Sequence, residues 1–422
     1  MSRGPLPGFR DFYPEQLAER AYITGVWRDI ARRFAFVEYD GPPLETLELY
    51  TRKSGEEIVG QLYNFTDKGD REVALRPEMT PTLARMVAAK ANALRKPVRW
   101  FSIPQLFRYE RQQKGRLREH FQLNVDILGE PGVTADAELL AVAIEIMRAY
   151  GLGPKDVRAR VSDRRLLNAL LTSAGVKADQ LGPVYAAIDK LGREPLEVTR
   201  EKWLKATGDE DVAIRLEQTI LQKDFGKLRA TPEMGADVHT AMEEFGKYLE
   251  LLDALGVREW VDFDLSIVRG LAYYTGTVFE LFDASGEFRA ICGGGRYDDL
   301  LDAIGGVSMP ALGFGMGDVV IGELLRARGL MRRNEIGPDY WIASDSEKLL
   351  SKVMQVASRV RAAGKSAEYS LRLQTLSRQM KTASSAGARE VIIVAADEAV
   401  AVKNLADGSE KRLTLNELIA SL

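Results

Sequence analysis

The stretch LFRYER, residues 106–111, places an arginine and a glutamate two positions apart in an apolar, aromatic run. Because side chains alternate between the faces of a strand, Arg108 and Glu110 are predicted to point to one side and Phe107 and Tyr109 to the other. A guanidinium fork beside a carboxylate can hold an anion and an amine together. An isolated Arg-x-Glu is more often a cross-strand ion pair, so the surrounding sequence has to decide between the two interpretations.

Two strand-like runs, Val98–Ile103 and Phe121–Leu128, surround this stretch, and the basic segment at residues 114–116 is predicted to be the hairpin loop between them. Five basic residues and one acid lie between Arg108 and Arg118. Such a patch can contact phosphates even on a chain whose net charge is −3, and a solvated face is the equal alternative.

The chain of 422 residues is long enough for two or three domains. Hydrophobic residues make up 45% and charged residues 28%, which is typical of a soluble globular protein. We expect no transmembrane helix, because no run of about 18 apolar residues occurs. The single cysteine, Cys292, excludes an internal disulfide and favours the reducing cytoplasm.

Element patterns predict an α+β protein with two domains. Apolar spacing predicts a helix over Glu15–Arg33, followed by a strand over Phe36–Tyr39 and a stop at Pro42. We place a first domain at residues 1–325, with a helical insertion at about 166–255, a linker at 326–337, and a second domain at 338–422. The alternation of strands and helices in the second domain predicts a parallel or mixed sheet.

Three local predictions concern the first domain. Thr80 before Pro81 is expected to cap a helix. Ser162-Asp163 can cap the helix that follows. A strand is expected over Phe288–Ile291, ahead of the glycine-dense run from Gly293, where a turn and a close approach of backbone to ligand are the alternatives.

Residues 107–111, with the basic loop and the returning strand, resemble motif 2 of class II aminoacyl-tRNA synthetases. The resemblance implies that Arg108 contacts the α-phosphate of ATP and the substrate carboxylate, and that Glu110 receives the adenine amino group. It also implies ATP contacts from Arg116. The resemblance assigns three further residues of this loop to the acceptor stem of tRNA: Arg111, Gln113 and Lys114.

Three further segments resemble the histidyl-tRNA synthetase family. In residues 75–80 the resemblance assigns Glu78 and Thr80 to the α-amino group of histidine, and in residues 121–126 it assigns Gln122 and Asp126 to the substrate. Residues 268–276, with 293–298 downstream, are similar to the two signatures of the family. There the resemblance gives Arg269 the neutralisation of the α-phosphate, and assigns Tyr273 and Tyr274 to the walls of the imidazole pocket.

The resemblance implies an antiparallel class II catalytic sheet of six or seven strands and a C-terminal α/β anticodon-binding domain. It implies ATP and Mg²⁺, no dedicated side-chain ligands for a metal, tRNA-His and histidine as partners, and a homodimer built on the motif 1 helix, strand and Pro42. Phosphate contacts in the second domain are expected from the basic region Arg359–Lys381.

The sequence departs from the family at motif 3, where Val319 and Val320 replace the usual glutamate and arginine. Arg326 follows six residues later, a rotation of about 240° on a helix, so it cannot take over from the same face. Ala272 stands where aspartate is usual. We interpret the chain as a divergent, active synthetase. The alternatives are a histidine-sensing regulatory subunit of ATP phosphoribosyltransferase and a tRNA-binding module without chemistry.

Overall fold

The computed structural model describes residues 4–51, 59–110, 115–228, 234–268, 274–332, 337–372, 374–396 and 399–422. The chain divides into two compact units, which are taken separately: Met1–Asp11 with Arg20–Met331, and Phe12–Glu19 with Arg332–Leu422. No described helix combines the length and the apolar character required to span a membrane.

The strands of the described residues are β1 Val37–Glu38, β2 Leu44–Thr46, β3 Tyr63–Thr66, β4 Glu72–Leu75, β5 Val98–Ser102, β6 Gln105–Phe107, β7 Glu119–Leu128, β8 Val157–Asp163, β9 Val261–Phe263, β10 Thr277–Asp283, β11 Cys292–Arg296, β12 Ala311–Gly317, β13 Tyr340–Ala343, β14 Ala367–Tyr369, β15 Glu390–Val394, β16 Ala399–Asn404 and β17 Glu410–Thr414.

The α-helices of the described residues are α1 Pro14–Arg33, α2 Leu47–Thr51, α3 Thr80–Ala88, α4 Val133–Ala149, α5 Arg164–Ser173, α6 Leu181–Ile188, α7 Leu196–Thr207, α8 Glu210–Ile220, α9 Ala236–Ala254, α10 Leu300–Gly305, α11 Asp318–Ala327, α12 Leu350–Ala362, α13 Leu376–Ser385 and α14 Leu415–Ala420.

The large sheet of the first unit has the strand order β1-β5-β7-β12-β11-β10-β8-β9, with β6 paired to β7. The six strands from β5 to β8 are joined in antiparallel pairs, and β1 and β9 add to the ends in parallel. The predicted α+β class with an antiparallel catalytic sheet is therefore confirmed. A separate antiparallel sheet, β2-β4-β3, comes between β1 and β5 in the chain.

One hydrophobic core joins the sheet to the helices on its covered face. Helix α4 is buried along most of its length and packs on β7, β11 and β12. Leu166 and Leu170 of α5 and Phe245 of α9 lie in the same buried cluster as Leu123 of β7. The helices predicted at residues 166–255 therefore pack into the same core as the large sheet. The opposite face of the sheet is the one on which a site can lie.

Two helix starts show how local chemistry sets these elements. Asp163 accepts hydrogen bonds from the backbone N–H of Arg165 (2.8 Å) and of Leu166 (3.1 Å), which confirms the predicted cap of α5. The cap predicted at Thr80 is wrong. Met79 is the N-cap of α3 and makes no side-chain cap bond, whereas Thr80 is the first helical residue and lines a cavity.

The glycine run is a strand, so the predicted strand over Phe288–Ile291 and the turn after it are wrong. Residues Cys292–Arg296 form β11, buried between β10 and β12. Glycine disfavours strands by propensity, but the tertiary fit overrides propensity. A Cβ on Gly294 would lie 2.2 Å from the carbonyl oxygen of Gly313, so no larger residue fits there.

The second unit is a mixed sheet with the order β14-β13-β15-β16-β17. Strand β13 is parallel to β14 and β15, while β15, β16 and β17 are antiparallel. Its apolar side chains form two clusters, one holding Ile342, Val356 and Leu418 and the other Trp341 and Ala383. The predicted βαβαβ order is present, and the sequence pattern missed β16, β17 and α14 that follow it.

Candidate active site

A cavity of about 170 Å³ opens over the centre of the large sheet. It lies where β7, β12 and β11 run side by side. The described residues that line it are Glu78, Thr80, Arg108, Gln122, Asn124, Asp126, Tyr274, Gly293, Tyr297, Gly313, Phe314 and Gly315. Six of these, in four separate stretches of the sequence, were predicted as site residues.

Strand β7 supplies the polar floor of the cavity. Gln122, Asn124 and Asp126 are spaced by two residues, so they point to the same face of the strand. The Gln122 amide donates to the Asn124 side-chain oxygen at 2.9 Å, and the Asn124 amide donates to the Gln122 carbonyl at 3.2 Å. These bonds fix the orientation of both amides, which makes the floor rigid before any ligand binds.

Glycines on the neighbouring strands create the space above this floor. Gly313 and Gly315 of β12 pair with Asp126 and Asn124 of β7. A Cβ on Gly313 would lie 2.0 Å from an Asp126 carboxylate oxygen, and one on Gly315 would lie 2.6 Å from the Gln122 amide nitrogen. Any other residue at either position would therefore displace a polar side chain of the floor.

Asp126 is a buried carboxyl of the cavity. Burial raises its pKa to about 7, and the hydrogen bond that it accepts from the Tyr297 hydroxyl acts in the opposite direction. A carboxyl with a pKa near neutrality can be either a hydrogen-bond acceptor or a donor at physiological pH. Together with Tyr297 it offers a polar end to a small heteroaromatic ligand.

Arg108 and Glu110 face each other at the rim of the cavity. Their side chains approach to 4.0 Å, although β6 ends at Phe107 and the strand alternation that predicted a shared side does not extend to them. The Arg108 side chain donates to the Pro77 carbonyl at 3.0 Å. Glu110 is buried and forms an ion pair of 2.9 Å with Arg116. Cationic and anionic groups thus lie side by side, as binding of an anion and an amine requires.

His120 neighbours this rim without adding charge to it. Burial and the nearby Arg108 lower its pKa to about 4, so the imidazole is neutral at pH 7. One ring nitrogen lies 3.4 Å from the Gln122 side-chain oxygen. His120 is therefore a neighbour of the polar floor rather than a cation for a phosphate.

The N-terminal segment supports the rim through contacts that no sequence pattern signals. Arg10 forms ion pairs with Glu119 at the start of β7 (2.6 Å) and with Asp318 at the start of α11 (2.9 Å). The backbone N–H of Arg118 donates to the Gly8 carbonyl, and Arg108 donates to the Arg118 carbonyl. These partners are up to 308 positions apart, so only the folded chain brings them together.

Five predicted site residues lie outside the described residues. They are Arg111, Gln113, Lys114, Arg269 and Tyr273, and the departure at Ala272 lies there too. Within the described part of the chain, no group of three histidine, cysteine, aspartate or glutamate side chains is arranged to hold a metal ion. Asn124, Tyr297 and Phe314 line the cavity and were not predicted as site residues. Tyr297 lies within residues 293–298, one of the two segments similar to the family signatures, and that position was the available signal.

The motif 3 position carries an apolar side chain. Val320 is 9% exposed and belongs to the main hydrophobic cluster, and Asp318 at the start of the same helix accepts from the Phe121 N–H at 3.0 Å. The residue of α11 at the motif 3 position is therefore uncharged.

The basic region of the second unit is only partly available to a ligand. Arg359 donates to the Asn416 side chain at 2.8 Å, and Arg361 donates to the Ala367 carbonyl at 2.7 Å. Arg372, Arg378 and Lys381 are exposed or half-buried on the stretch that follows β14. The later basic residues of this region are therefore its most accessible candidates for a phosphate.

Comparisons with known proteins agree over nearly the whole chain. A model of the histidyl-tRNA synthetase family matches residues 8–317, and a model of the anticodon binding domain matches residues 340–422. The histidine–tRNA ligase of Opitutus terrae is 44% identical over 402 residues, which cover 93% of this chain and 91% of that protein. A chloroplastic/mitochondrial histidine–tRNA ligase of Arabidopsis thaliana is 39% identical, over 98% of this chain and 85% of its own length.

Solved structures share the fold. The histidyl-tRNA synthetase from Nostoc sp. PCC 7120 superposes with a TM-score of 0.83 at 22% identity, covering 100% of both chains. A protein from Bacillus halodurans described as an ATP phosphoribosyltransferase regulatory subunit/histidyl-tRNA synthetase has a TM-score of 0.77 at 23% identity, covering 94% of this chain and 100% of its own.

Proposed function

Because the chain belongs to the histidyl-tRNA synthetase family, we propose that it is a histidine–tRNA ligase that uses the cavity over the large sheet as its active site. The observation that carries the assignment of the site is the convergence of Glu78, Gln122, Asp126, Arg108 and Tyr274 on one small cavity with a glycine wall. Residues from four separate stretches of the sequence meet there.

The cavity suits histidine by the chemistry of its two ends. Glu78 and Thr80 at one side offer acceptors for an α-ammonium group, and Arg108 at the rim offers a cation for the carboxylate. Asp126 with Tyr297, together with Tyr274, offers hydrogen-bond partners and an aromatic wall for the imidazole. Gln122 lies between the two ends.

The proposed reaction has two steps. A carboxylate oxygen of histidine attacks the α-phosphorus of ATP, and pyrophosphate leaves. A ribose hydroxyl at the 3′ end of tRNA-His then attacks the acyl carbon, and AMP leaves. Neither step uses a protein nucleophile, so the chain acts by positioning and charge stabilisation. Arg108, and Arg269 as the resemblance places it, would neutralise charge that grows at the α-phosphate.

ATP is proposed to lie against the rim formed by Arg108, Glu110 and Arg116. Mg²⁺ would enter with it, since this ion commonly binds through substrate phosphates, several waters and only one or two carboxylates. Glu110, 4.0 Å from Arg108, is the carboxylate closest to that place among the motif 2 residues. The ion would screen the polyphosphate charge.

The tRNA is proposed to contact both units. The loop residues Arg111, Gln113 and Lys114 would meet the acceptor stem, and the unit that follows residue 331 would bind the anticodon through its later basic residues. The division into a catalytic domain at 1–325, a linker at 326–337 and an anticodon domain at 338–422 belongs to the same proposal. The family match at 340–422 supports it.

We also propose that two copies pair through the edge of the large sheet. Strand β1 is the edge strand, and Val37 on it is 61% exposed. An exposed edge with an apolar side chain is a ready surface for a second chain. A sedimentation run that finds only the mass of one chain would contradict this pairing. Cytoplasmic location remains a proposal, supported by the single cysteine, Cys292, which is buried and has no second cysteine for an internal disulfide.

Pyrophosphate exchange into ATP with each of the twenty amino acids tests the assignment. Exchange with histidine alone is expected, because only histidine fits the polar end made by Asp126 and Tyr297. Absence of exchange with every amino acid, together with measurable histidine binding, would instead favour the histidine-sensing paralogue. The loss of the motif 3 arginine at Val320 is the one observation that favours that second candidate, and the match to the anticodon binding domain speaks against it.

A further inference from the structure

Arg289 and Val320 meet over the same glycine of the motif 2 loop. A Cβ built on Gly115 would lie 3.5 Å from a Val320 methyl group and 3.7 Å from the Cδ of Arg289. Gly115 precedes Arg116, whose guanidinium forms the ion pair with Glu110. An exposed arginine therefore lies beside both the apolar motif 3 position and the loop assigned to ATP.

The sheet register independently places Arg289 next to motif 3. Cys292 of β11 pairs with Met316 of the antiparallel strand β12. Arg289 precedes Cys292 by three residues, and Val319 follows Met316 by three, so the two leave the sheet at the same end. Arg289 comes from the connection between β10 and β11, a different segment from the helix that carries Val320.

Two other arginines near this helix face elsewhere. Both terminal nitrogens of Arg326 lie 3.7 Å from the position of a Cβ on Gly322, beside an Ile23 methyl group of α1. Gly322 is two residues beyond Val320, a rotation of about 200° on the helix, so Arg326 lies on the other side. Arg10 is held between the carboxylates of Glu119 and Asp318, which neutralise its charge.

We propose that Arg289 supplies the positive charge to the triphosphate tail of ATP that the motif 3 arginine supplies in other members of the family. The inference rests on the proposed function of the cavity. The guanidinium of Arg289, on the β10–β11 connection, would reach the nucleotide across Gly115. The buried Val320 packs in the main hydrophobic cluster. Positive charge held there would stabilise the pyrophosphate as it leaves.

The test compares Arg289→Gln and Arg289→Ala with the wild type in histidine-dependent pyrophosphate exchange. The glutamine variant keeps much of the length and polarity of the side chain and loses its charge. Both are expected to lower kcat/KM for ATP by roughly 10²-fold, the usual effect of removing one preorganised electrostatic partner. KM for histidine, the thermal midpoint and inhibition by AMP, which lacks the tail, are expected to stay as in the wild type.

Arg193→Ala is the matched control, because Arg193 is an exposed arginine of the helical region. An Arg289→Gln variant with wild-type kcat/KM for ATP would overturn the inference. Equal weakening of the interactions with ATP, AMP and histidine, together with a lowered thermal midpoint, would also overturn it. That result would show that Arg289 has a structural role. If the wild type itself exchanges with no amino acid, the proposed function fails instead, so the two failures are distinguishable.

Discussion

Asp126 shows how the environment of a single residue defines the site. Its carboxyl lies under a glycine wall, accepts from Tyr297, and has a pKa raised to about 7 by burial. The folded state therefore binds this proton more tightly than the unfolded state, whose carboxyl titrates near 3.8. Stability contributed by the neutral acid is full below about pH 4, is lost as pH rises toward 7, and changes no further above that.

Asp126→Asn is expected to remove this dependence. The amide cannot ionise, so the stability of the variant relative to the wild type should rise between pH 4 and 7, by on the order of a few kcal/mol at about 1.4 kcal/mol per pKa unit. Thermal or urea unfolding at pH 4.5, 6 and 8 measures it. The control is Asp253→Asn, at an exposed position of α9, whose difference in unfolding free energy from the wild type should stay the same at the three pH values. A flat profile for both variants would mean that Asp126 is ionised throughout.

Gly313 tests the wall of the cavity at the same scale. Gly313→Ala would place a methyl group 2.0 Å from the Asp126 carboxylate and 2.9 Å from the Val125 carbonyl, so the floor must shift. We expect a loss of stability of about 1–3 kcal/mol, the usual cost of overpacking, and a KM for histidine raised at least tenfold. Exchange kinetics and calorimetric unfolding are the measurements.

Gly25→Ala is the control for that substitution, since nothing lies within 4 Å of a Cβ there and Gly25 is in the interior of α1. The change should stabilise the helix by roughly 0.5–1 kcal/mol and leave catalysis intact. Wild-type KM for histidine in the Gly313→Ala protein would show that the cavity is not the histidine site.

Between elements, one buried ion pair joins the glycine strand to the helix behind it. Arg296, the last residue of β11, forms a 2.6 Å pair with Asp136 in the first turn of α4, and both side chains are 2% exposed. Its guanidinium also donates to the backbone carbonyls of Glu130 (3.0 Å) and Gly132 (3.3 Å). Burial raises the pKa of Asp136 to about 6, and Arg296 opposes that rise. The pair holds β11, and with it the cavity wall, against α4.

Arg296→Met is expected to destabilise the first unit by about 3–5 kcal/mol, because it leaves a buried carboxylate and two carbonyls without their donor. Denaturant unfolding followed by tryptophan fluorescence would detect the change. The comparison variant is Arg33→Met, whose partner Asp29 is an exposed i,i+4 neighbour and whose loss should cost at most about 0.5 kcal/mol. Equal small effects in the two variants would show that the buried pair contributes no net stability.

Across the whole molecule, we assign catalysis and anticodon binding to separate units with separate cores. Because the tRNA is proposed to contact both units, damage to the second unit should lower tRNA affinity. It should leave adenylate formation, which is proposed for the first unit, unaffected. The large antiparallel sheet accounts for activation of histidine alone. Exposed arginines follow β14 in the mixed sheet of the second unit.

Arg372→Ala combined with Arg378→Ala should raise KM for tRNA roughly tenfold and leave pyrophosphate exchange unchanged. Each lost phosphate contact should also reduce the salt dependence of tRNA binding by about 0.7–0.9 in the log–log slope. Filter binding at several salt concentrations measures this. Lys411→Ala combined with Arg412→Ala, two exposed positions on β17 of the same unit, is the charge-matched control. A tRNA affinity equal to that of the wild type would place the anticodon contacts elsewhere.

The sequence by itself determined the fold class, the alternation of elements in both units and half of the described cavity lining. Arg108 could be singled out from the chemistry of the Arg-x-Glu pair, whereas Glu78, Gln122 and Asp126 were assigned because their segments resemble those of the histidyl-tRNA synthetase family. The cap at Asp163 and the limits of α1 also follow from local chemistry, which depends only on neighbours in the chain. The cap and the helix limits can be predicted from the sequence because their physical causes are local.

Only the tertiary structure decided the features whose partners are distant in the chain. The strand at Cys292–Arg296 is set by backbones packed on both sides, against the propensity of glycine. The raised pKa of Asp126 requires burial, and the support of the rim by Arg10 requires a partner 308 positions away. The meeting of Arg289 and Val320 over Gly115 likewise has no sequence signal. Burial and long-range contact are properties of the folded chain, and no pattern of neighbouring residues encodes them directly.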